Sequence, residues 1–315
     1  MTKIASLFVA TLLALSCHAV SAQAQLARTY VSSFGNDAND CNRLTPCRTF
    51  QRAHDTTLAN GEITVLDPGG YGAVNITKTI SIINDGVGEA GILVSGGAVG
   101  ISINAGVDDR ISLRGLTVKG IGFGGGTGVR FTSGGYMTVE NCAIRNLTGH
   151  GIEFAPNGSS RLAVSNTLVA DNGGDGFNVR PTGSGTVRAM FTRVESYGGA
   201  LAGIAVIGDN SSGKIEAIAT DSVVANHNGT GFYVALAGSN QGTELAVFRS
   251  VSANNFVGAF QVGAATLRLG ESMVTGNASG LFAANFGNAI TYGTNSVSGN
   301  GAANSTAGWT FINRQ

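Results

Sequence analysis

The chain has 315 residues, with 48 glycines, 4 prolines, and basic and acidic side chains balanced at 19 each. Against the roughly 7% glycine and 25% charge of an average soluble domain, glycine is about doubled and charge, at 12%, about halved. Collagen is excluded by scarce proline without a three-residue glycine period, disorder by 43% hydrophobic content, a basic nucleic-acid surface by the charge balance, and long helices by the glycine.

In chain order, Lys3 precedes an apolar run from Ile4 to Leu15, followed by the small residues of Val20-Ser21-Ala22 and Ala22-Gln23-Ala24. A basic start, an apolar stretch too short for a bilayer and small residues before a cleavage point describe a secretory signal peptide over 1–24. Cys17, after Ala14-Leu15-Ser16, offers lipoprotein processing as the alternative. The remainder, 25–315, reads as one exported domain, periplasmic or secreted, without a membrane span. Within it, 25–62 form an N-terminal strand and capping helix and 63–315 the coils.

Arg28 to Ser32 reads as a strand. Cys41 and Cys47 flank a loop and are expected to be oxidised to a disulfide outside the cytoplasm, since a metal reading lacks a second ligand pair nearby. Pro46 to Leu58 reads as a helix, with Phe50, Ala53 and Leu58 on one face and Gly61 ending it. It would cover the open end of a stack of strands. Cys142 falls within a strand, where a buried inert thiol is expected.

From Thr117 onward one unit recurs at intervals of 23 to 30 residues, a scale that marks stacked repeats. Each begins with a β-rich run ending in a branched aliphatic residue: Val118, Ile144, Val169, Val194, Val224, Val251, Val274 and Val297. A polar turn follows, and then a hydrophobic-x-hydrophobic strand: Val129-Arg-Phe131, Ile152-Glu-Phe154, Phe177-Asn-Val179, Ile204-Ala-Val206, Phe232-Tyr-Val234 and Phe260-Gln-Val262. Leu281-Phe-Ala283 and Trp309-Thr-Phe311 follow more loosely. Alternation buries the flanking residues and turns the middle one outward. Asn146, Asn172, Asn226, Asn254, Asn277 and Asn300 recur in the turns, where Asn tolerates left-handed backbone and can hydrogen-bond along a stack. The loops Gly208–Gly213 and Gly238–Gly242, in the longest units, are expected to protrude. Such units bury a core only when stacked, so the fold class is all-β, a parallel β-helix. After the last strand, Trp309 to Ile312, nothing remains to cover the stack, so self-association is a candidate at the C-terminal end.

The mature start, Val31 to Asp40, Pro46 to Ala53, Gly61 to Tyr71 and Val74 to Ile82, resembles right-handed parallel β-helix proteins of the pectin lyase-like superfamily. With the repeats, the resemblance covers nearly all of the mature chain. It implies a strand, a capping helix and opening coils, and a superfamily that holds lyases, hydrolases, epimerases, phage spikes and adhesins.

Polysaccharide hydrolases of that superfamily carry Asn-Thr-Asp, Asp-Asp, Gly-His-Gly and Arg-Ile-Lys motifs on neighbouring coils. Asp108-Asp109 and Gly149-His150-Gly151 match two of these. They lie more than one repeat apart, the other two are missing, and His150 holds a turn position that Asp175 and Thr230 hold in other units. Paired carboxylates converging on one glycosidic bond are therefore not expected. A calcium site would need stacked acids, whereas the outward positions read Arg130, Glu153, Asn178, Ala205, Tyr233, Gln261, Phe282 and Thr310. No catalytic residue, metal or cofactor is assigned. The residues that point to binding are Arg130, Glu153 and Asn178 on consecutive rungs, with Arg180 beside them and Tyr233 two rungs on. Polar groups there suit sugar hydroxyls and the ring suits stacking; the bland alternative is a surface ion pair. The expected function is non-catalytic binding of extracellular polysaccharide or a cell-surface partner, with no nucleic acid involved. A divergent polysaccharide lyase or glycosidase, and a structural or adhesin-like rod, are the alternatives.

Overall fold

The computed structural model describes residues 26–121, 124–238, 240–285, 287–301 and 308–312. The expected signal peptide lies outside the described residues. Strands in the described residues form sheets of twelve, ten and nine strands, and every pairing is parallel. The chain visits the sheets in the order twelve, ten, nine and then begins again. One coil runs through Tyr136–Glu140, Ala143–Arg145 and Ile152–Phe154, and the next pairs with it through Ser160–Ser165, Leu168–Ala170 and Phe177–Val179. The molecule is thus a parallel β-solenoid of about ten turns, and among the described residues no helix is long and apolar enough to cross a membrane.

The sheets form because each strand alternates. In the coil above Met137, Val139, Ile144, Ile152 and Phe154 are buried, while Tyr136, Thr138, Glu140 and Glu153 face out. Like positions stack, so apolar columns run the length of the interior; Phe131 and Phe154 lie with ring centroids 4.6 Å apart on adjacent coils. At roughly 1.5–3 kcal/mol per buried large side chain, this interior is the main stabilising term.

In the coils from Asn141 to Gly276 two corners are turned by left-handed residues. Between the twelve- and ten-stranded sheets these are Asn141, Asn166, Arg193, Asp221, Arg249 and Glu271, all with φ between 47 and 54°. The next residue along closes the corner by accepting a backbone N–H from the preceding coil: Val194 donates to Ser222 Oγ (3.2 Å), Ser222 to Ser250 Oγ (3.2 Å) and Ser250 to Ser272 Oγ (3.1 Å). On the outside, Arg193 donates to Asn166 Oδ1 at 2.7 Å, and Arg249 grips Asp221 through two bonds of 2.8 and 3.1 Å. From Arg193 through Asp221 and Arg249 to Glu271 the corner therefore alternates in charge.

The second corner, after the ten-stranded sheet, divides the turn asparagines into two columns. Asn146, Asn226 and Asn254 hold the left-handed position, with Asp171, Gly198 and Gly276 in other coils. Asn172, Asn277 and Asn300 occupy the next column, with Asn255 and His227, and form a ladder. Asn255 N donates to Asn277 Oδ1 (2.8 Å) and Asn277 N to Asn300 Oδ1 (3.0 Å); the side-chain amides repeat the step at 3.0 Å each.

Near the start, Phe50–Thr56 is helical, shorter than the expected 46–58. Pro46 to Thr49 are held elsewhere: Cys47 N donates to Tyr30 O (2.9 Å) and Ser32 N to Cys47 O (2.9 Å), bridging Cys47 to the first strand. Thr49 is then the N-cap, its hydroxyl accepting from Arg52 N at 3.2 Å. The helix ends where Thr57–Val65 becomes a strand, which leaves Leu58 exposed and Gly61 inside that strand. Cys41 and Cys47 form the expected disulfide. The loop Gly208–Gly213 does not simply protrude, because Ser211 is buried with its hydroxyl donating to Gly183 O at 2.7 Å. Trp309–Ile312 is a strand as expected, but it pairs with Asn288–Tyr292 in the twelve-stranded sheet, so it does not follow Leu281-Phe-Ala283 and Thr310 does not continue that outward file.

Candidate functional site

Period-two alternation along the nine-stranded sheet delivers one outward side chain per coil to a single file. Its register runs Ser102, Arg130, Glu153, Asn178, Ala205, Tyr233, Phe260 and Phe282. The first half is polar. Arg130 Nε donates to Glu153 Oε2 at 2.6 Å and its Nη2 to Thr127 Oγ1 at 3.3 Å. Asn178, although outward, is 4% exposed, and its amide donates to Asp175 Oδ2 at 2.6 Å. Ala205, also fully buried, floors the middle of the face. Arg180 lies just past its strand, exposed, with its backbone N–H on Phe154 O at 2.9 Å.

The second half is aromatic. Tyr233 and Phe260 have ring centroids 5.6 Å apart, and Phe260 and Phe282 5.1 Å, on three successive coils. The Tyr233 phenol is held above its ordinary pKa by burial, then by the charges of Asp209 and Asp175, with Arg180 opposing. Tyr233 is thus a neutral donor and acceptor with carboxylates and a guanidinium nearby.

The expected strip Arg130, Glu153, Asn178 stacks as read, with Tyr233 two coils on. Gln261 does not face out. The register places it against Val234, inside, and puts Phe260 in the file instead. The misreading comes from a one-residue slip: Ala259, small but fully buried, takes the inward place that Phe232 holds one coil earlier. Gln261 keeps an amide bond to Gly263 O at 2.6 Å, while its Oε1 is buried without a partner.

His150 is not a free turn side chain. Its Nδ1 accepts the Asp175 backbone N–H at 3.0 Å, so in that arrangement the neutral ring carries its proton on Nε2. Asp175 in turn accepts from Ala202 N at 2.9 Å and from Asn178, and its Oδ2 lies 3.4 Å from His150 Nδ1. Asp109, the other motif match, accepts from Thr79 N at 3.1 Å and Gly106 N at 2.7 Å and braces a turn. Among the described residues, no group of three or more His, Cys, Asp or Glu side chains converges as a metal site would need.

A second outer face went unread in the sequence. On the twelve-stranded sheet Arg110, Tyr136, Arg161, Arg188, Glu216 and Glu244 lie in register on successive coils. Each stands five residues before the left-handed corner of its coil, at Gly115, Asn141, Asn166, Arg193, Asp221 and Arg249. That fixed offset was the available signal, hidden because the corner residues share a conformation and not an identity.

Residues 99–278 match the family model described as the right handed beta helix region. A comparison with curated protein sequences gives no match. Among solved structures, pectate lyase Pel9A is similar at a TM-score of 0.52 and 18% identity, over 92% of this chain and 75% of that one. A rhamnogalacturonan lyase aligns at 0.35 and 13%, over 84% of this chain and 72% of that one. The catalytic domain of a GH87 alpha-1,3-glucanase in complex with nigerose aligns at 0.40 and 11%, over 82% and 62%.

Proposed function

The chain belongs to the right-handed beta helix family, and from that premise we propose that it binds extracellular polysaccharide along the outer face of its nine-stranded sheet. The observation that carries this reading is the aromatic file Tyr233, Phe260, Phe282, continuous with the polar file Arg130, Glu153, Asn178. Sugar rings offer an apolar C–H face and a polar hydroxyl rim. Partly exposed aromatic planes receive the first, and charge-assisted donors and acceptors such as Arg130 and Glu153 suit the second. Arg180 flanks the join between the halves. The reading takes the chain to be exported, with which the Cys41–Cys47 disulfide agrees, and takes the helix Phe50–Thr56 to be the cap of the stack.

The test is retention on a panel of immobilised glycans. Tyr233→Ala and Phe282→Ala, at partly exposed positions, should leave the circular dichroism unchanged and weaken retention about tenfold each, the scale of ~1.4 kcal/mol per lost stacking plane. Undiminished retention of the double variant would end the proposal.

A second reading, a polysaccharide lyase or glycosidase, draws on the cluster of His150, Asp175 and Asn178 beside the same file. Assays for reducing ends and unsaturated products over the same panel, with and without calcium, separate it from binding. Product formation abolished by Asp175→Asn would favour the enzyme.

A further inference from the structure

We infer that the twelve-stranded sheet carries a second, separate binding site for an anionic amphiphile: a phosphate or carboxylate head on the arginine column and an apolar tail across Met190 and Ile218. Two depressions lie on this face, of about 650 and 610 Å³, and they share Tyr136, Arg161 and Arg188. Each is of the size that small-molecule sites commonly have.

The first depression is the head end. Arg110 and Arg161 stand one coil to either side of Tyr136. Neither is in an ion pair with any described residue, whereas Arg188, next in the column, is matched by Glu216 at 2.9 Å. Two guanidinium groups without carboxylates therefore flank a phenol. Asp108 lines the same rim, so the excess positive charge here is that of the arginine column less one carboxylate. Guanidinium forks bind phosphate and carboxylate through paired N–H donors, and Arg110 and Arg161, two coils or roughly 10 Å apart along the column, have side chains long enough to reach one head group seated over Tyr136 between them.

The second depression is the tail end. The adjacent outward column reads Ala163, Met190, Ile218 and Ala246 on four successive coils. Met190 is 51% exposed and Ile218 42%. Three coil steps of about 4.8 Å give an apolar track roughly 14 Å long, the reach of a medium alkyl chain. Its acidic neighbours are already neutralised: Glu216 by Arg188 and Lys214, Glu244 by Arg268. Hydrogen bonding from Lys214, with help from Arg188, holds the Glu216 carboxyl below its ordinary range. A hydrated polyanion would leave Met190 and Ile218 bare, and an uncharged lipid would leave Arg110 and Arg161 unmatched. An amphiphile satisfies both halves.

The probe is dodecyl phosphate below its critical micelle concentration, titrated calorimetrically into the full exported chain. Inorganic phosphate and dodecyl maltoside serve as the two half-ligands. One saturable site is expected, with each half-ligand at least tenfold weaker. Arg161→Gln and Ile218→Ser, both at outward positions, should each weaken dodecyl phosphate tenfold or more while leaving circular dichroism and glycan retention on the other face unchanged. Co-sedimentation with phosphatidylglycerol vesicles would assign the amphiphile to a bilayer, and binding of the free probe without co-sedimentation would assign it to a dispersed molecule. Either outcome supports the site. Dodecyl phosphate binding untouched by both substitutions, or a polyuronate oligomer binding as tightly as dodecyl phosphate, would overturn it.

Discussion

Cys142 shows how column position governs a side chain's chemistry. It sits where other coils place the Thr167, Ser222 or Ser250 hydroxyl, buried, with its sulfur 3.3 Å from Glu140 O. Burial pushes the thiol up to about 11. The folded state therefore holds this proton more tightly than the unfolded chain, so the stability it contributes is complete below the unfolded thiol's pKa. That contribution is lost as pH rises from about 8.5 towards 11. The unfolding free energy from denaturant melts should fall over that window, by up to about 3 kcal/mol, and that of Cys142→Ser should fall less. Native Cys142 should also resist iodoacetamide at pH 8. His227 runs the opposite way. Its Nδ1 accepts from Gly199 N at 3.2 Å and its Nε2 faces Ser196 O at 3.1 Å, and burial lowers its pKa. A depressed histidine stabilises the fold above the unfolded pKa of about 6.5, and that stability is lost as pH falls below it. His227→Asn, restoring the residue the ladder uses elsewhere, should flatten the acid limb of a melting-temperature profile between pH 7 and 5.

Among the elements, the Asn ladder is the most exposed to a single change. Asn277→Ala leaves the buried Asn255 backbone N–H without its acceptor, while the Asn255 amide keeps Val224 O and Ser252 Oγ, at a cost of about 1–3 kcal/mol by chemical denaturation. Gln261→Leu removes a buried acceptor that has no partner together with the amide bond to Gly263 O, so its net effect should stay within about 1 kcal/mol of the parent. These two sites also mark how far the sequence could be read. The parallel coils and the file Arg130–Glu153–Asn178 were legible because large apolar residues recur with the middle residue outward, and the disulfide because two cysteines flank one loop with no second ligand pair nearby for a metal. Legibility failed at Ala259, where a small residue fills the inward place and the eye moves to Phe260. It failed again at Pro46 to Thr49, where a bridge to the first strand overrides helix-start signals. The asparagines looked like one column because a left-handed turn and a ladder amide, one residue apart, select the same amino acid.

For the whole molecule, coils that touch only their neighbours make stability a sum over rungs and interfaces, so a complete coil can be removed in register. Deleting residues 195–222 brings Val223 to the place of Glu195, its own partner on the adjacent strand. The shortened chain should keep its β-sheet circular dichroism and melt cooperatively. It would also bring Arg193 beside Arg249 at the first corner, where the full chain sets Asp221 between them. The shortened chain should therefore gain more from added salt than the parent does, and Arg193→Glu should stabilise it while destabilising the parent. Salt-insensitive melting in both would refute this. The alternating corner behaves as a parity check on coil number: loss or gain of one coil sets like against like, whereas two leave the signs in order. Within the Arg193–Glu271 stretch, growth or shrinkage of the rod by pairs is thus electrostatically silent, and by single coils it is marked.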